Sequence, residues 1–359
     1  MQPKDFISDN FICSSKELNF SWSAPSNIAL VKYWGKKENQ LPANPSISLT
    51  LNECKTVTTL VAKPKENKLE YSFSLLFEGK PNASFHPKIQ TFFQRILPYC
   101  PYLNSFHLEI DTFNTFPHSS GIASSASSMA ALSTCIMSLE KSLNPTISEE
   151  YFYKKASFLA RLGSGSAARS IKGSVVVWGE NKIIENSNDN YGIEATNIHK
   201  DFYSYKDTVL IIDKGEKTVS STVGHNLMHN HIYAQNRFIQ AHNNLSELYV
   251  AMQNNDTEKF IQIVESEALT LHAMMMTSVP YFILMKPNTL EVINKIWNFR
   301  KETQSNVCFT LDAGANVHVL YPENENDKVS YFIDNELKRY CQNNQYINDF
   351  VGKGAHQLK

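Results

Sequence analysis

The 359-residue chain is short of charge, of paired cysteines and of long apolar runs. Charged residues make up 19% of it and the formal net charge is -1, which offers no general attraction to nucleic acid or to an anionic membrane. Its six cysteines form no C-x-x-C pair, so we expect reduced thiols buried in the core. No apolar run approaches the ~18 residues of a membrane span, and the start lacks the regions of a signal peptide. We therefore expect a cytoplasmic protein that has neither nucleic acid nor a membrane as partner.

The length and the pattern of the chain predict two lobes. At roughly 150 residues per domain, the chain is long enough for two domains. Predicted strands and helices alternate irregularly, which favours a mixed α+β architecture. The Asn- and Asp-rich stretch NSNDNYG (186–192) is the best candidate for a linker. We accordingly predict one domain over residues 1–190 and a second over residues 191–359.

The stretch LGSGSAARS (162–170) fits the loose pattern G-x-G-x-x-G/A of dinucleotide-binding turns. That fingerprint needs a strand in front of it, whereas the preceding residues predict a helix over 148–162 with Ser148 as N-cap. We therefore expect Gly163 to end this helix at positive φ and the serines to cap a second helix. Arg169 would project from the first turn of that helix and suit a carboxylate or a phosphate, with a surface salt bridge as the alternative.

A second segment of small residues, PHSSGIASSASSMAAL (117–132), opens a predicted buried helix over 122–143. Small side chains at a helix start let a polyphosphate approach backbone N–H groups and the positive end of the helix dipole. The segment is not a Walker A loop, because G-x-x-x-x-G-K-[ST] is absent. Close helix packing is an equally good interpretation of the same residues.

His225, His229 and His231 form H-x-x-x-H-x-H, which could bring imidazoles together as metal ligands. No H-E-x-x-H is present, and the flanking Asn and Gln residues favour a solvated surface. We predict no metal site formed by protein ligands alone, and the sequence assigns this cluster no role.

Six motifs together resemble one family. APSNIALVKYWGKK (24–37), SISLTL, PHSSGIASSAS, GSGSAARS, VSSTVG and LDAGAN occur in the order and approximate spacing of the diphosphomevalonate decarboxylases, a branch of the GHMP kinase superfamily. K-Y-W-G-K together with G-S-G-S-A-x-R-S is the most specific part. The resemblance implies a two-lobed GHMP-kinase fold, with an N-terminal domain similar to domain 2 of ribosomal protein S5 and a ferredoxin-like C-terminal domain.

The same resemblance implies an activity. It is the ATP- and Mg²⁺-dependent conversion of (R)-5-diphosphomevalonate to isopentenyl diphosphate, with release of ADP, phosphate and CO2. This is a carboxy-lyase step of the mevalonate pathway, in isoprenoid biosynthesis. A homodimer is the commonest closed assembly and is our expectation here.

Site residues follow from the resemblance position by position. Asp312 would handle the proton of the 3-hydroxyl, Arg169 and Asn27 would hold the substrate carboxylate, and Lys32 would assist them. Without the resemblance, Asp312 and Asn27 are equally typical of turns. The residues implied to bind substrate are Tyr33, Trp34, Gly35, Lys36, Ser164, Gly165, Ser166, Ala167, Ala168, Ser220, Ser221 and Thr222. Those implied to bind ATP are Ser120, Gly121, Ser124, Ser125 and Ser127.

Three departures from the family pattern bear on the substrate. Pro45 replaces a residue that is often polar, a near-C-terminal G-P-G-P becomes GKGA (352–355), and Lys80 stands near an arginine of some members. These changes leave the number of phosphates on the substrate open. The alternative function is therefore a related small-molecule kinase, or a decarboxylase, acting on mevalonate or a monophosphorylated mevalonate.

Overall fold

The computed structural model describes residues 1–9, 11, 16–66, 70–117, 122–215 and 221–358, and it confirms the mixed α+β class. The strands are β1 (Leu18–Val31), β2 (Ser46–Pro64), β3 (Ser72–Phe77), β4 (Lys80–Pro81), β5 (Phe106–Asn114), β6 (Val175–Trp178), β7 (Ile193–Glu194), β8 (Lys206–Leu210), β9 (Cys308–Thr310), β10 (Val317–Tyr321), β11 (Tyr346–Phe350) and β12 (His356–Gln357). The α-helices are α1 (His86–Ile96), α2 (Ser124–Leu143), α3 (Glu149–Gly163), α4 (Ser221–Leu227), α5 (Ala234–Asn254), α6 (Thr257–Met276), α7 (Pro287–Thr303) and α8 (Asn326–Phe332).

The larger sheet has the order β12-β1-β2-β5-β3-β4, with β6 paired to the start of β2 and β7 paired to β6. Its pairs are antiparallel except β3 with β5. The second half of β2 alternates buried and partly exposed residues, the pattern of a strand with one face toward solvent. The first six residues of β2 (46–51) are all buried, because the C-terminal half of the chain covers their other face. This doubly covered region holds the site described below.

The smaller sheet is antiparallel, in the order β11-β8-β10-β9. The segment VCFTLDAGANVHVLY (307–321) has the sequence pattern of two short strands around a tight turn. The structure confirms this pattern: β9 and β10 pair with His318 opposite Thr310, and Asp312 lies in the turn between them. One apolar core joins the two sheets, since Ile28 and Leu49 of the first pack in the same cluster as Val209 of the second and Phe260 of α6. That shared core fixes the end of β1 against α6.

The helices predicted over 122–143 and 148–162 are confirmed as α2 and α3, but the second helix expected after Gly163 is wrong, because Gly165–Arg169 is a single 3₁₀ turn whose start has no side-chain cap. Ser148 caps α3 by accepting a hydrogen bond from the backbone N–H of Tyr151. The expectation that Gly163 ends this helix at positive φ is wrong, because Gly163 is helical and its φ is negative. Residues 225–255 also carry a helical pattern in the sequence, but the chain breaks within them between α4 and α5. Five of the cysteines are described, and all five are buried free thiols. None of the described helices is long and apolar enough to cross a membrane.

Candidate active site

Arg169 ends the tight turn Gly165–Arg169 and is held inside the protein by neutral partners. Its guanidinium donates to the hydroxyls of Ser46 and Ser48, at 2.5 and 3.1 Å, and to the side-chain oxygen of Asn27 at 3.3 Å. The residue is only 2% exposed, yet no carboxylate in the described part of the chain forms an ion pair with it. Since buried charges are normally paired, this cation is suited to an anionic ligand. Arg169 therefore does not form the surface salt bridge that was the alternative.

Asn27 is oriented by the same cluster. Its amide nitrogen donates to the hydroxyl of Ser170 at 2.7 Å and to the carbonyl of Ser166 at 3.2 Å, which leaves its oxygen toward Arg169. Burial lowers the pKa of the Arg169 guanidinium to about 10, while Asp312 opposes that shift. Arg169 stays charged at neutral pH, with its planar fork held in one orientation.

Lys32 and Asp312 meet across the two halves of the chain. Lys32 follows β1, and its ammonium lies 3.3 Å from a carboxylate oxygen of Asp312. The lysine is 2% exposed and the aspartate 24%, so the carboxylate faces the open side of the pair. Burial lowers the pKa of Lys32, against the attraction of Asp312. On the other side, the ring of His272 lies 3.2 Å from the carbonyl oxygen of Asp312 and fixes the turn.

A buried ion pair that sequence reasoning missed holds the backbone of Lys32. Glu267 of α6 and Arg237 of α5 pair at 2.5 Å with both side chains fully buried. Glu267 accepts the backbone N–H of Lys32 at 2.8 Å, and Arg237 donates to the Lys32 carbonyl at 3.3 Å. Asn244 completes the network by donating to Glu267. No motif connects these three positions in the sequence, because α5 and α6 bring them together only in the fold.

Glu267→Gln is expected to destabilise the protein by ~3–5 kcal/mol, because it leaves Arg237 as an uncompensated buried charge. For a chain of this size that free energy corresponds to a fall of ~4–7 °C in the thermal unfolding midpoint. Glu258→Gln, at an exposed position of the same helix, is the control. Equal midpoints for the two variants in a calorimetric scan would show that the ion pair contributes nothing.

These groups line one pocket of about 300 Å³. Its described walls carry the cations Lys32, Lys36, Lys88 and Arg169, against the single carboxylate of Asp312. Its remaining lining residues are Asn27, Ala29, Tyr33, Trp34, Gln40, Ala123, Ser125, Gly163, Ser164, Gly165, Ser166, His225, Leu271 and Ala313. The excess of positive charge suits a polyanion in an otherwise neutral protein. Lys88, an exposed residue of α1, was not predicted from the sequence.

The glycines of GSGS allow close packing rather than an unusual φ. A Cβ on Gly163 would lie 2.4 Å from the sulfur of Met129, and one on Gly165 would lie 2.7 Å from the hydroxyl oxygen of Tyr33. That Tyr33 hydroxyl is buried and has no hydrogen-bond partner among the described residues. An unpaired polar atom in the wall of a charged pocket is suited to a ligand.

The predicted ATP-binding serines that the structure describes differ in where their side chains lie. Ser125 lines the pocket, and its hydroxyl lies 3.2 Å from that of Ser164, so the starts of α2 and of the GSGS turn meet there. Ser127 is fully buried, and its hydroxyl lies 2.6 Å from that of Thr56, directed at the sheet. Ser124 is partly exposed at the first position of α2.

Some predicted residues do not reach the pocket or cannot be placed. Ala167 and Ala168 are buried beneath the turn and are absent from the pocket lining. Ser120, Gly121 and Ser220 lie outside the described residues. Ser221 and Thr222 are described only as the first residues of α4.

The three histidines of the H-x-x-x-H-x-H motif have different surroundings. His225 lines the pocket, His229 is exposed, and His231 is buried with its ring nitrogen 3.0 Å from the carbonyl of Met274. Within the described ranges no group of three His, Cys, Asp or Glu side chains could hold a metal ion. The motif thus contains one residue of the pocket, His225.

Comparison with known proteins gives the family. A model of the diphosphomevalonate decarboxylase-like N-terminal domain matches residues 24–189, and a model of the mevalonate 5-diphosphate decarboxylase C-terminal domain matches residues 208–357. The chain belongs to the diphosphomevalonate decarboxylase family. Its Candida albicans relative, diphosphomevalonate decarboxylase, is 28% identical over 324 residues, which cover 86% of each chain.

Solved structures of decarboxylases in this family have the same fold. A mevalonate diphosphate decarboxylase from Staphylococcus aureus superposes with a TM-score of 0.82 at 26% identity, over 96% of this chain and 99% of that one. A structure described as MDDEF in complex with MVAPP, AMPPCP and magnesium superposes with a TM-score of 0.80 at 27% identity, over 96% and 100%. The predicted family, two-lobed fold class and decarboxylase activity are confirmed. That complex also confirms, for the family, the predicted cofactors ATP and Mg²⁺.

Proposed function

We propose that this chain converts (R)-5-diphosphomevalonate to isopentenyl diphosphate with ATP, releasing ADP, phosphate and CO2. The observation that carries the proposal is Arg169, a buried guanidinium with neutral partners and no carboxylate partner in the described chain, in the pocket that also holds Asp312. A kinase that stops after phosphoryl transfer has less need of a carboxylate clamp. The proposal assigns to this chain the diphosphomevalonate decarboxylase activity for which its relatives are named.

The chemistry explains why both groups are needed. A β-hydroxy acid has no carbonyl that could take up the electrons left by departing CO2. If the tertiary hydroxyl is phosphorylated, those electrons form the alkene as phosphate leaves. The site must then bind the carboxylate, accept the hydroxyl proton and hold the phosphates. Arg169 with Asn27 fits the first task and Asp312 the second.

Lys32 orients the reacting carboxylate. Its ammonium bonds one oxygen of Asp312 while the ion pair of Glu267 and Arg237 fixes its backbone, so Asp312 presents its partly exposed oxygen to the substrate hydroxyl. The diphosphate is assigned to the segment from Tyr33 to Lys36, with Ser164 and Ser166 opposite. Ser220, Ser221 and Thr222 remain substrate-binding assignments by resemblance.

ATP is assigned to the mouth of α2, where Ser125 and Ala123 line the pocket. Ala123, the N-cap of α2, has a left-handed backbone and provides no side-chain cap. Within the described chain the N–H of Ala126 already bonds the carbonyl of Ala123, so the N–H groups of Ser124 and Ser125 are those assigned to phosphate oxygens. Ser120, Gly121, Ser124 and Ser127 complete this assignment. Mg²⁺ keeps several waters and binds largely through substrate phosphates, so the phosphates of ATP at the mouth of α2 would hold it, with the hydroxyl of Ser125 beside them and Asp312 left to act as the base. When bound, Mg²⁺ neutralises phosphate charge.

We further propose the domain division at residues 1–190 and 191–359, a homodimer, and a location in the cytoplasm. The family models match on either side of the proposed boundary and support the division. Analytical ultracentrifugation of the purified chain would test the dimer.

The decisive assay supplies ATP, Mg²⁺ and 5-diphosphomevalonate and measures CO2 and ADP separately. We expect one CO2 for each ADP. ADP without CO2 would replace the decarboxylase by the kinase alternative. A higher kcat/KM with 5-phosphomevalonate than with 5-diphosphomevalonate would replace the diphosphorylated substrate by the monophosphorylated one.

A further inference from the structure

His225 belongs to a short helix that packs on the substrate segment. A Cβ on the neighbouring Gly224 would lie 2.5 Å from the Trp34 ring, so the backbone of α4 touches that ring directly. The imidazole of His225 lies against both Tyr33 and Trp34, with ring centroids 4.3 and 4.7 Å apart. Its place in the pocket wall is therefore fixed by packing, and it lies beside Lys36 in the lining.

The hydrogen bond at Nδ1 determines which nitrogen of His225 carries the proton. The backbone N–H of Gly35 donates to Nδ1 at 3.0 Å, so Nδ1 is an acceptor. In a neutral imidazole the proton then resides on Nε2, which becomes a donor. Burial, and after it the charges of Lys36 and Arg169, lower the pKa of His225 to about 3. The ring is accordingly neutral at physiological pH.

Among the described residues, the His225 ring makes its hydrogen bond at Nδ1, and none of them accepts one from Nε2. We infer that His225 is a specificity-determining residue that donates its Nε2–H to a phosphoryl oxygen of the substrate. The inference rests on the proposed function, because it deepens the assignment of the Tyr33–Lys36 segment to the diphosphate.

A neutral donor has a distinct effect in this pocket. Lysines attract any phosphate by charge, whereas an Nε2–H whose ring is held by Gly35 on the far side donates only to an oxygen that lies in one direction. His225 therefore favours a substrate long enough to bring a phosphoryl oxygen to it. Loss of the donor weakens binding of the diphosphorylated substrate more than that of the monophosphorylated one.

Two substitutions distinguish the role of Nδ1 from that of Nε2. His225→Asn keeps an acceptor near the Nδ1 position, and with it the bond from Gly35, but removes the donor. His225→Gln places an amide N–H near the Nε2 position and gives up the bond from Gly35. We expect His225→Asn to raise KM for 5-diphosphomevalonate ~10-fold, the effect of one hydrogen bond to a charged group, with kcat and KM for ATP within twofold. We expect His225→Gln to stay within ~3-fold of the parent KM, because it retains the donor.

The preference for 5-diphosphomevalonate over 5-phosphomevalonate provides a readout that a merely structural role would not move. It should fall ~10-fold in His225→Asn, since one hydrogen bond to a charged group is lost. An unchanged preference, an equal rise of KM in both variants, or a rise confined to KM for ATP would overturn the inference; the last result would place the donor at the nucleotide. Calorimetric titration with 5-diphosphomevalonate alone gives the same comparison without turnover, so failure of the proposed reaction is distinguishable from failure of the inference.

Discussion

Asp312→Asn is expected to lower kcat ~10³-fold while ATP binding stays intact. The amide keeps the shape of the side chain, and Lys32 remains 3.3 Å from the same position. What is lost is the group that takes the hydroxyl proton, and positioned acid–base catalysis contributes ~10²–10⁴-fold. Steady-state turnover and calorimetric titration with ATP, in the presence of Mg²⁺, measure the two quantities independently.

The control for this prediction is Asp327→Asn, at an exposed position of α8. It should leave kcat unchanged. The thermal midpoint of Asp312→Asn should stay close to that of the parent, because Asp312 is partly exposed and Lys32 also bonds the carbonyl of Ala29. A kcat within tenfold of the parent would remove Asp312 from its role as the base.

The sequence predicted the site through short motifs, and each motif lies at the end of an element. Asn27 and Lys32 are at the end of β1, and Asp312 follows β9. Local signals such as Ser148 at an N-cap and the paired strands around Asp312 also appear in the structure, because they depend on neighbouring residues. Such signals depend on interactions between residues close together in the chain, so they can be recognised in a single sequence.

The supporting residues could not be predicted in the same way. Glu267 and Arg237 reach Lys32 from helices more than two hundred positions along the chain, and their effect requires both helices to pack against β1. The role of Gly163 was mistaken for a related reason. A glycine that is needed because Met129 lies against it looks, in sequence, like a glycine needed for its φ.

The spacing of Ser46 and Ser48 in the sequence indicates their role as partners of a buried polar group. They stand two apart in a strand, so their side chains lie on one face, and both accept hydrogen bonds from Arg169. Two hydroxyls on one face of a buried strand require a polar partner. The position of Arg169 could have been paired with them only once the fold was known.

Arg169→Gln is expected to abolish nearly all activity while leaving stability almost unchanged. Loss of a buried charge that binds a substrate carboxylate costs about 2–5 kcal/mol of binding, so kcat/KM should fall ~10³-fold. In the free protein, however, the guanidinium has hydroxyl and amide partners and no ion pair among the described residues. Removing an uncompensated buried charge relieves a desolvation cost that offsets the lost hydrogen bonds, so the free energy of unfolding should change by less than ~1 kcal/mol.

Arg300→Gln is the matched control, for which we expect the opposite result: lower stability with unchanged activity. Arg300 pairs with Glu265 at 2.6 Å, away from the pocket that holds Arg169, so its loss should lower the thermal midpoint and leave kcat/KM unchanged.

Arg169→Lys should resemble Arg169→Gln in activity, because an ammonium lacks the planar fork that bonds Ser46, Ser48 and a carboxylate together. If Arg169→Gln instead loses several kcal/mol of stability, the arginine holds β1 and β2 together and its charge is not reserved for substrate. If it keeps its activity, the carboxylate is bound elsewhere. Stability retained while activity is lost is the result that a substrate-binding arginine alone explains.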